Sequence, residues 1–216
     1  MTGNVETPTN AVFIWIPKTA GTSLFAALQN DAYFTKYKRL HDLCNGFRQT
    51  GRVTFGHMDY VSLNNQNYVN TSYFTQAFKF SFVRDPYART VSLFLYLKKE
   101  GRIKNTATFL EFCQLLDGGA VEPIGLYNSK GLSQCNPQMT WLRGIDLDYL
   151  GRYEDLENSY RFLADKFRIP VTTLPHLNSS NGSNFIEYYC PKSKAIVETY
   201  YAEDFESLGY SYLPQQ

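Results

Sequence analysis

The sequence predicts an α/β fold, a single domain with a mostly parallel sheet flanked by helices. Two runs rich in β-branched and aromatic residues, Ala11 to Ile16 (AVFIWI) and Phe78 to Val83 (FKFSFV), have strand length and stop at polar loops. Each is followed by a segment whose apolar residues recur at helical spacing. Strands alternating with helices along the chain indicate parallel βαβ units rather than a sandwich or a bundle.

The elements follow in order. Residues 1–10 are polar, carry Pro8, and read as a flexible tail ahead of a domain spanning 11–216. The first run, apolar throughout, suits a strand covered on both faces and ends at Pro17. TSLFAALQN then sets Leu24, Phe25 and Leu28 on one helical face, with Thr22 or Ser23 at its start. Val53 to Phe55 reads as a short strand ending at Gly56-His57, and residues 60–76, rich in Asn, Ser, Tyr and Gln without period, read as loop. After Phe78–Val83, Asp85 suits an N-cap and Pro86 the first helical position, where its missing N–H costs nothing. That helix runs to Lys99, with Lys98 and Lys99 at the negative end of its dipole.

Thr108 and Glu111 form a capping-box pattern before FLEFCQLLD, ended by Gly118-Gly119. Residues 120–136 are irregular, and Gln138 to Arg143 reads as one short helix. Tyr149 to Tyr153 is a strand and Asp155 to Phe167 a helix with apolar Leu156, Tyr160, Leu163 and Phe167. After a Pro-, Asn- and Ser-rich connection at 170–184, Ser193 caps a final helix. Its buried face carries Ile196, Val197, Tyr200, Tyr201, Phe205 and Leu208, and Gly209 ends it.

Composition narrows the function. The chain has 216 residues, of which 16% are aromatic, with 17 Tyr and 16 Phe, so it can offset its ordering entropy by burial. Against 21 Lys and Arg stand 20 Asp and Glu, a net charge of +1. That balance excludes a main task of coating a nucleic-acid polymer or an acidic membrane, which needs a large uncompensated positive field. The four cysteines, Cys44, Cys113, Cys135 and Cys190, contain no CxxC pair and read as reduced, partly buried thiols. The sequons at Asn70, Asn178 and Asn181 read as chance matches. No stretch approaches the ~18 apolar residues of a membrane span, and the first residues lack a signal-peptide pattern, so a cytoplasmic protein is expected.

Two segments carry chemistry. Ile16-Pro17-Lys18-Thr19-Ala20-Gly21-Thr22-Ser23 joins a buried strand to a helix. A loop there offers backbone N–H groups, the Lys18 charge and the Thr19, Thr22 and Ser23 hydroxyls to an oxyanion. The alternative is an ordinary strand–helix turn whose hydroxyls cap the helix. The Walker A pattern is absent, because Lys18 precedes the only glycine by three positions; this disfavours a P-loop phosphotransferase. The second segment is Ser81-Phe82-Val83-Arg84-Asp85-Pro86-Tyr87-Ala88-Arg89-Thr90-Val91-Ser92. Arg84 falls at a strand end, the edge where open parallel sheets bind ligands, and Arg89, Ser92 and Tyr96 share one helical face. The guanidinium fork and a serine hydroxyl make a phosphate clamp. The other reading is a structural Arg–Asp pair with Arg89 in solvent.

Together, IPKTAGTSL and FVRDPYARTVS resemble the two co-substrate motifs of sulfotransferases that use 3′-phosphoadenosine-5′-phosphosulfate (PAPS), in the carbohydrate branch that includes heparan sulfate 2-O-sulfotransferase. The resemblance implies the P-loop-NTPase-like sulfotransferase fold and sulfuryl transfer to a hydroxyl acceptor, a glycan or glycoconjugate, releasing adenosine 3′,5′-bisphosphate. It assigns Lys18, Thr19, Ala20, Gly21, Thr22 and Ser23 to the 5′-phosphosulfate, and Arg84 and Ser92 to the 3′-phosphate. Phe55-Gly56-His57 resembles the family element carrying the catalytic base. Asn136-Pro137-Gln138-Met139, Gly151–Leu156 and Pro175-His176-Leu177-Asn178 are also similar to family segments, the last adding co-substrate contacts through Asn178 or Ser180. Against that branch, the sequence as read is short and is expected to carry no membrane anchor.

Such a transfer needs in-line placement, a base for the hydroxyl proton and a cation at the departing phosphate oxygen. Lys18 suits the last task, and no metal is expected, since no ligand cluster has metal spacing. His57 is the chosen base, because an imidazole titrates near neutral pH; Asp59 is the carboxylate alternative. His41 lies on a polar face and His176 is expected to pack near the nucleotide. The rival to an enzyme is a non-catalytic nucleotide-binding protein of the same fold.

Overall fold

The computed structural model of the chain describes residues 9–28, 34–37, 50–58, 71–118, 133–174 and 184–214. Five strands, β1 (Ala11–Ile14), β2 (Phe34–Lys36), β3 (Arg52–Thr54), β4 (Phe78–Val83) and β5 (Tyr149–Arg152), form one sheet in the order β2-β3-β1-β4-β5. The pairs β1–β3, β1–β4 and β2–β3 are parallel, with Val12 between Val53 and Lys79. The α/β class with a parallel sheet is therefore observed. Because β1, β3 and β4 run the same way, the segments leaving them start from one edge of the sheet. The order reverses between β1 and β4, the topological switch at which such sheets bind ligands.

The described helices are α1 (Gly21–Leu28), α2 (Thr71–Gln76), α3 (Pro86–Lys99), α4 (Phe109–Asp117), α5 (Met139–Leu142), α6 (Leu156–Phe167), α7 (Pro191–Tyr200) and α8 (Ala202–Leu208). Of the described residues, 17–19, 83–118, 133–140 and 184–214 gather into one compact unit and the others into a second. In the sheet unit, Phe13, Phe80 and Phe82 pack with Leu24, Leu28, Tyr160, Leu163 and Phe167. Phe13 stacks on Phe80 with ring centres 5.0 Å apart. Gly151 is required on β5, because a Cβ there would lie 2.5 Å from the Phe82 ring. In the helical unit Tyr87, Phe94 and Leu97 pack with Phe109, Phe112, Val197, Tyr201 and Phe205.

Most predicted elements appear, and the exceptions have physical causes. β1 ends two residues early; Trp15 and Ile16 stay buried but leave the ladder. β2 has too little alternation in three residues to signal a strand. Within the stretch expected to be loop, residues 71–76 form α2. Tyr73, whose hydroxyl donates to the carbonyls of Ala11 at 3.1 Å and Gly51 at 2.8 Å, ties it to the sheet. This tertiary anchor overrides a weak local pattern. The expected final helix is broken at Tyr201 into α7 and α8. Cys190, not Ser193, is the cap of α7; Ser193 lies in the first turn, where its Oγ accepts from the Cys190 N–H at 3.0 Å. The capping box forms as read, with Thr108 Oγ1 accepting from Glu111 N–H at 3.2 Å.

Cys113 and Cys135 are buried free thiols, while Cys190 is free but exposed, contrary to its expected partial burial. Cys44 lies outside the described residues, as does most of the predicted tail.

Candidate functional site

The loop after β1 is held in an unusual backbone conformation. Lys18 and Ala20 have φ of 67° and 68°, left-handed values that cost a non-glycine residue on the order of 1–3 kcal/mol. Thr19 between them keeps a negative φ and is fully buried. Alternating hands of this kind turn successive N–H groups toward one side, the arrangement that receives anions. The Arg89 Nε donates to the Pro17 carbonyl at 3.0 Å, and an Arg84 Nη donates to the Lys18 carbonyl at 3.4 Å. Helix α1 begins at once, Leu24 N–H donating to the Ala20 carbonyl at 3.0 Å. Gly21 has no substitute here, since a Cβ would fall 1.9 Å from the Trp15 indole nitrogen. Thr22 is exposed and Ser23 buried.

The Lys18 ammonium stands 4.3 Å above the centre of the Tyr96 ring on α3. Burial first, then the nearby Arg84 and Lys99 charges, bring its pKa down to about 8 against a smaller opposing pull from Glu100. The two predicted cations, Lys18 and Arg84, are therefore neighbours, although 66 positions apart in sequence. A doubly positive, partly desolvated pair is a natural receptor for phosphate or phosphosulfate oxygens.

Arg84 follows β4 directly. Asp85 caps α3 by accepting from the Ala88 N–H at 2.9 Å, and Pro86 takes the first helical position, as the sequence predicts. The Arg84 peptide is gripped on both sides by one side chain: its N–H donates to Gln138 Oε1 at 2.9 Å, and its carbonyl accepts from Gln138 Nε2 at 2.8 Å. Ser92 is buried on α3, one turn before Tyr96.

Arg89 is corrected. It is 1% exposed and lies neither in solvent nor in a clamp open to ligand. Its guanidinium donates to the carbonyls of Pro17, Gln134 at 2.9 Å and Asn136 at 3.1 Å, and lies 5.7 Å from the Tyr201 ring centre. It organises the backbone beside Lys18.

His57 follows β3 through Gly56, whose φ of 62° turns the chain sharply. Its Nδ1 lies 2.9 Å from the Trp15 carbonyl. A carbonyl only accepts, so Nδ1 carries a proton, and the lone pair of the neutral ring then falls on Nε2. The ring meets the Trp15 indole edge-on with centres 5.2 Å apart, and the His57 carbonyl accepts from the Trp141 indole N–H at 3.1 Å. These contacts fix a histidine in the tautomer a base requires.

Asp59, His41, His176, Asn178 and Ser180 lie outside the described residues. Among the described residues, no three His, Cys, Asp or Glu side chains group as metal ligands, and no helix is long and apolar enough to cross a membrane. Sequence reasoning missed Asp204, which nothing in its local pattern distinguishes from an acid in a helix's first turn, and gave no role to Trp15 or Trp141. Gln138 was signalled only through its motif.

A sequence model described as "Sulfotransferase family" matches residues 4–211. No curated protein matches. Among solved structures, mouse sulfotransferase SULT7A1 complexed with PAP superposes with a TM-score of 0.56 at 15% identity, covering 92% of this chain and 84% of that one. The sulfotransferase from Alicyclobacillus acidocaldarius gives 0.53 at 14% identity, covering 92% and 94%. At these identities the likeness is one of fold.

Proposed function

Since the chain belongs to the sulfotransferase family, we propose that it moves a sulfuryl group from PAPS to a hydroxyl acceptor, a sugar hydroxyl of the kind used by the heparan sulfate 2-O branch. The observation that carries this reading is the contact of Arg84 with the Lys18 backbone, which makes neighbours of two cations from the two motifs. The 18–23 loop takes the 5′ side of the donor, with Lys18, Thr19, Ala20, Gly21, Thr22 and Ser23 as its contacts. Arg84 and Ser92 take the 3′-phosphate. Ser180 remains part of the proposed donor contacts.

In this reading His57 Nε2 receives the acceptor hydroxyl proton as the acceptor oxygen bonds to sulfur. The bond from sulfur to the phosphate oxygen breaks, and the Lys18 ammonium meets the charge left on that oxygen. PAPS supplies the sulfuryl group and adenosine 3′,5′-bisphosphate is the product. Likeness to a structure complexed with PAP supports the choice of donor.

The deciding experiment is a screen of hydroxyl acceptors with labelled PAPS, scoring sulfate transfer and release of the bisphosphate. With an acceptor found, His57→Ala is expected to abolish transfer while PAPS still binds; near-normal turnover would remove His57 from the reaction. Bisphosphate binding without transfer to any acceptor would favour a non-catalytic nucleotide-binding protein.

A further inference from the structure

We infer that Gln138 and Asp204 are positioning residues for the 3′-phosphate, acting through the Arg84 backbone, an inference that rests on the assignment of Arg84 above. Gln138 is fully buried, and both ends of its amide are used on the backbone of one residue: Oε1 accepts from Arg84 N–H, and Nε2 donates to the Arg84 carbonyl. A reciprocal pair of this kind fixes the direction in which the Arg84 side chain leaves the backbone. That is what a guanidinium needs to meet a phosphate within the roughly 0.5 Å and 10–20° that productive geometry allows.

Gln138 is held in turn. Its own N–H donates to Asp204 Oδ2 at 2.8 Å, and the Met139 N–H donates to Asp204 Oδ1 at 2.9 Å. Asp204 is completely buried on α8, and both of its oxygens are committed to residues 138 and 139. Burial raises the Asp204 pKa above the ordinary carboxylate value, and the Arg89 charge and the two backbone N–H donors pull against that rise. A chain of hydrogen bonds thus runs from α8 through Gln138 to the residue after β4. It gives a task to the Asn136–Met139 motif, which donor contacts alone leave unused. Gln138 and Asp204 act through Arg84 and are not catalytic groups.

The test compares affinities for adenosine 3′,5′-bisphosphate and adenosine 5′-monophosphate, which differ only by the 3′-phosphate, using calorimetry on the full chain. Gln138→Glu keeps the acceptor facing Arg84 N–H but replaces the donor facing its carbonyl with an oxygen. Asp204→Asn sets an amide donor against a backbone N–H. Each is expected to reduce the bisphosphate affinity on the order of tenfold while changing monophosphate affinity by less than about twofold. General loosening of the fold would weaken both nucleotides together, and that result overturns the inference.

Arg84→Ala separates this inference from its premise. If wild type shows no preference for the bisphosphate, or Arg84→Ala retains it, the Arg84 assignment fails and the positioning role falls with it. If Arg84→Ala loses the preference while Gln138→Glu and Asp204→Asn keep it, the positioning role alone is overturned. Should either variant fail to fold, hydrogen exchange in wild type decides. The Arg84 amide is expected to slow more than the Leu97 amide when bisphosphate replaces monophosphate at matched saturation, and equal slowing of both overturns the proposal.

Discussion

Lys18 is useful to an anion only while protonated, and its surroundings work against that state. Burial and the Arg84 and Lys99 charges bring its pKa down to about 8. A bound phosphosulfate or phosphate favours the ammonium, so the liganded pKa must exceed the free one by linkage. Affinity for adenosine 3′,5′-bisphosphate is therefore expected to be flat below pH 7 as far as Lys18 is concerned, and to fall as pH rises through about 8. Lys18→Arg cannot lose its charge in this range, so the variant should lose the decline even if its absolute affinity is poorer. Calorimetry across about pH 6.5–9.5, roughly one and a half units on either side of that pKa, reads both. An identical decline in Lys18→Arg would assign the titration to another group. Lys18 was legible as a cation in the sequence. Its left-handed backbone was not, because donors from Arg84 and Arg89, far along the chain, bind the Lys18 and Pro17 carbonyls there.

Around the start of α3, two arginines divide the proposed clamp from the scaffold. Arg84 before the cap faces the Lys18 backbone, whereas Arg89 inside the helix satisfies three carbonyls. The sequence marked the beginning of α3 because Asp85 and Pro86 act locally. It could not separate Arg89 from Ser92 and Tyr96, since helical spacing assigns a shared face without saying what covers it. The break at Tyr201 was hidden for the same reason: apolar spacing continues across α7 and α8, while the bend accompanies a Tyr201 hydroxyl donating to the Cys135 carbonyl at 2.7 Å. Arg89→Lys keeps the charge but cannot reproduce the planar fork, leaving buried carbonyls unsatisfied. The expected loss is about 1–3 kcal/mol, seen as a lower guanidinium midpoint with an unchanged slope. An unaltered midpoint would show that Arg89 is dispensable to the scaffold.

Over the whole chain, the parallel sheet was readable because its central strands are nearly continuous apolar runs, with all four residues of β1 buried. The switch between β1 and β4 follows only from the strand order, yet the two proposed donor motifs follow these two strands, so motif positions and topology agree without being derived from one another. A ligand held by the segments after β1 and β4 binds the folded chain and not the unfolded one. It must therefore raise the stability of the fold by mass action, about 2.7 kcal/mol at a hundredfold excess over Kd. For a chain of this size that corresponds to a rise in Tm of roughly 5–11 °C. Adenosine 3′,5′-bisphosphate should produce this rise without added magnesium, because the proposed anion contacts are Lys18, Arg84 and loop amides. ATP with magnesium, lacking a 3′-phosphate, should produce a smaller one at equal concentration. Equal shifts for the two nucleotides would mean that Arg84 contributes no 3′ selectivity, and a larger shift with ATP and magnesium would turn the assignment toward phosphoryl transfer.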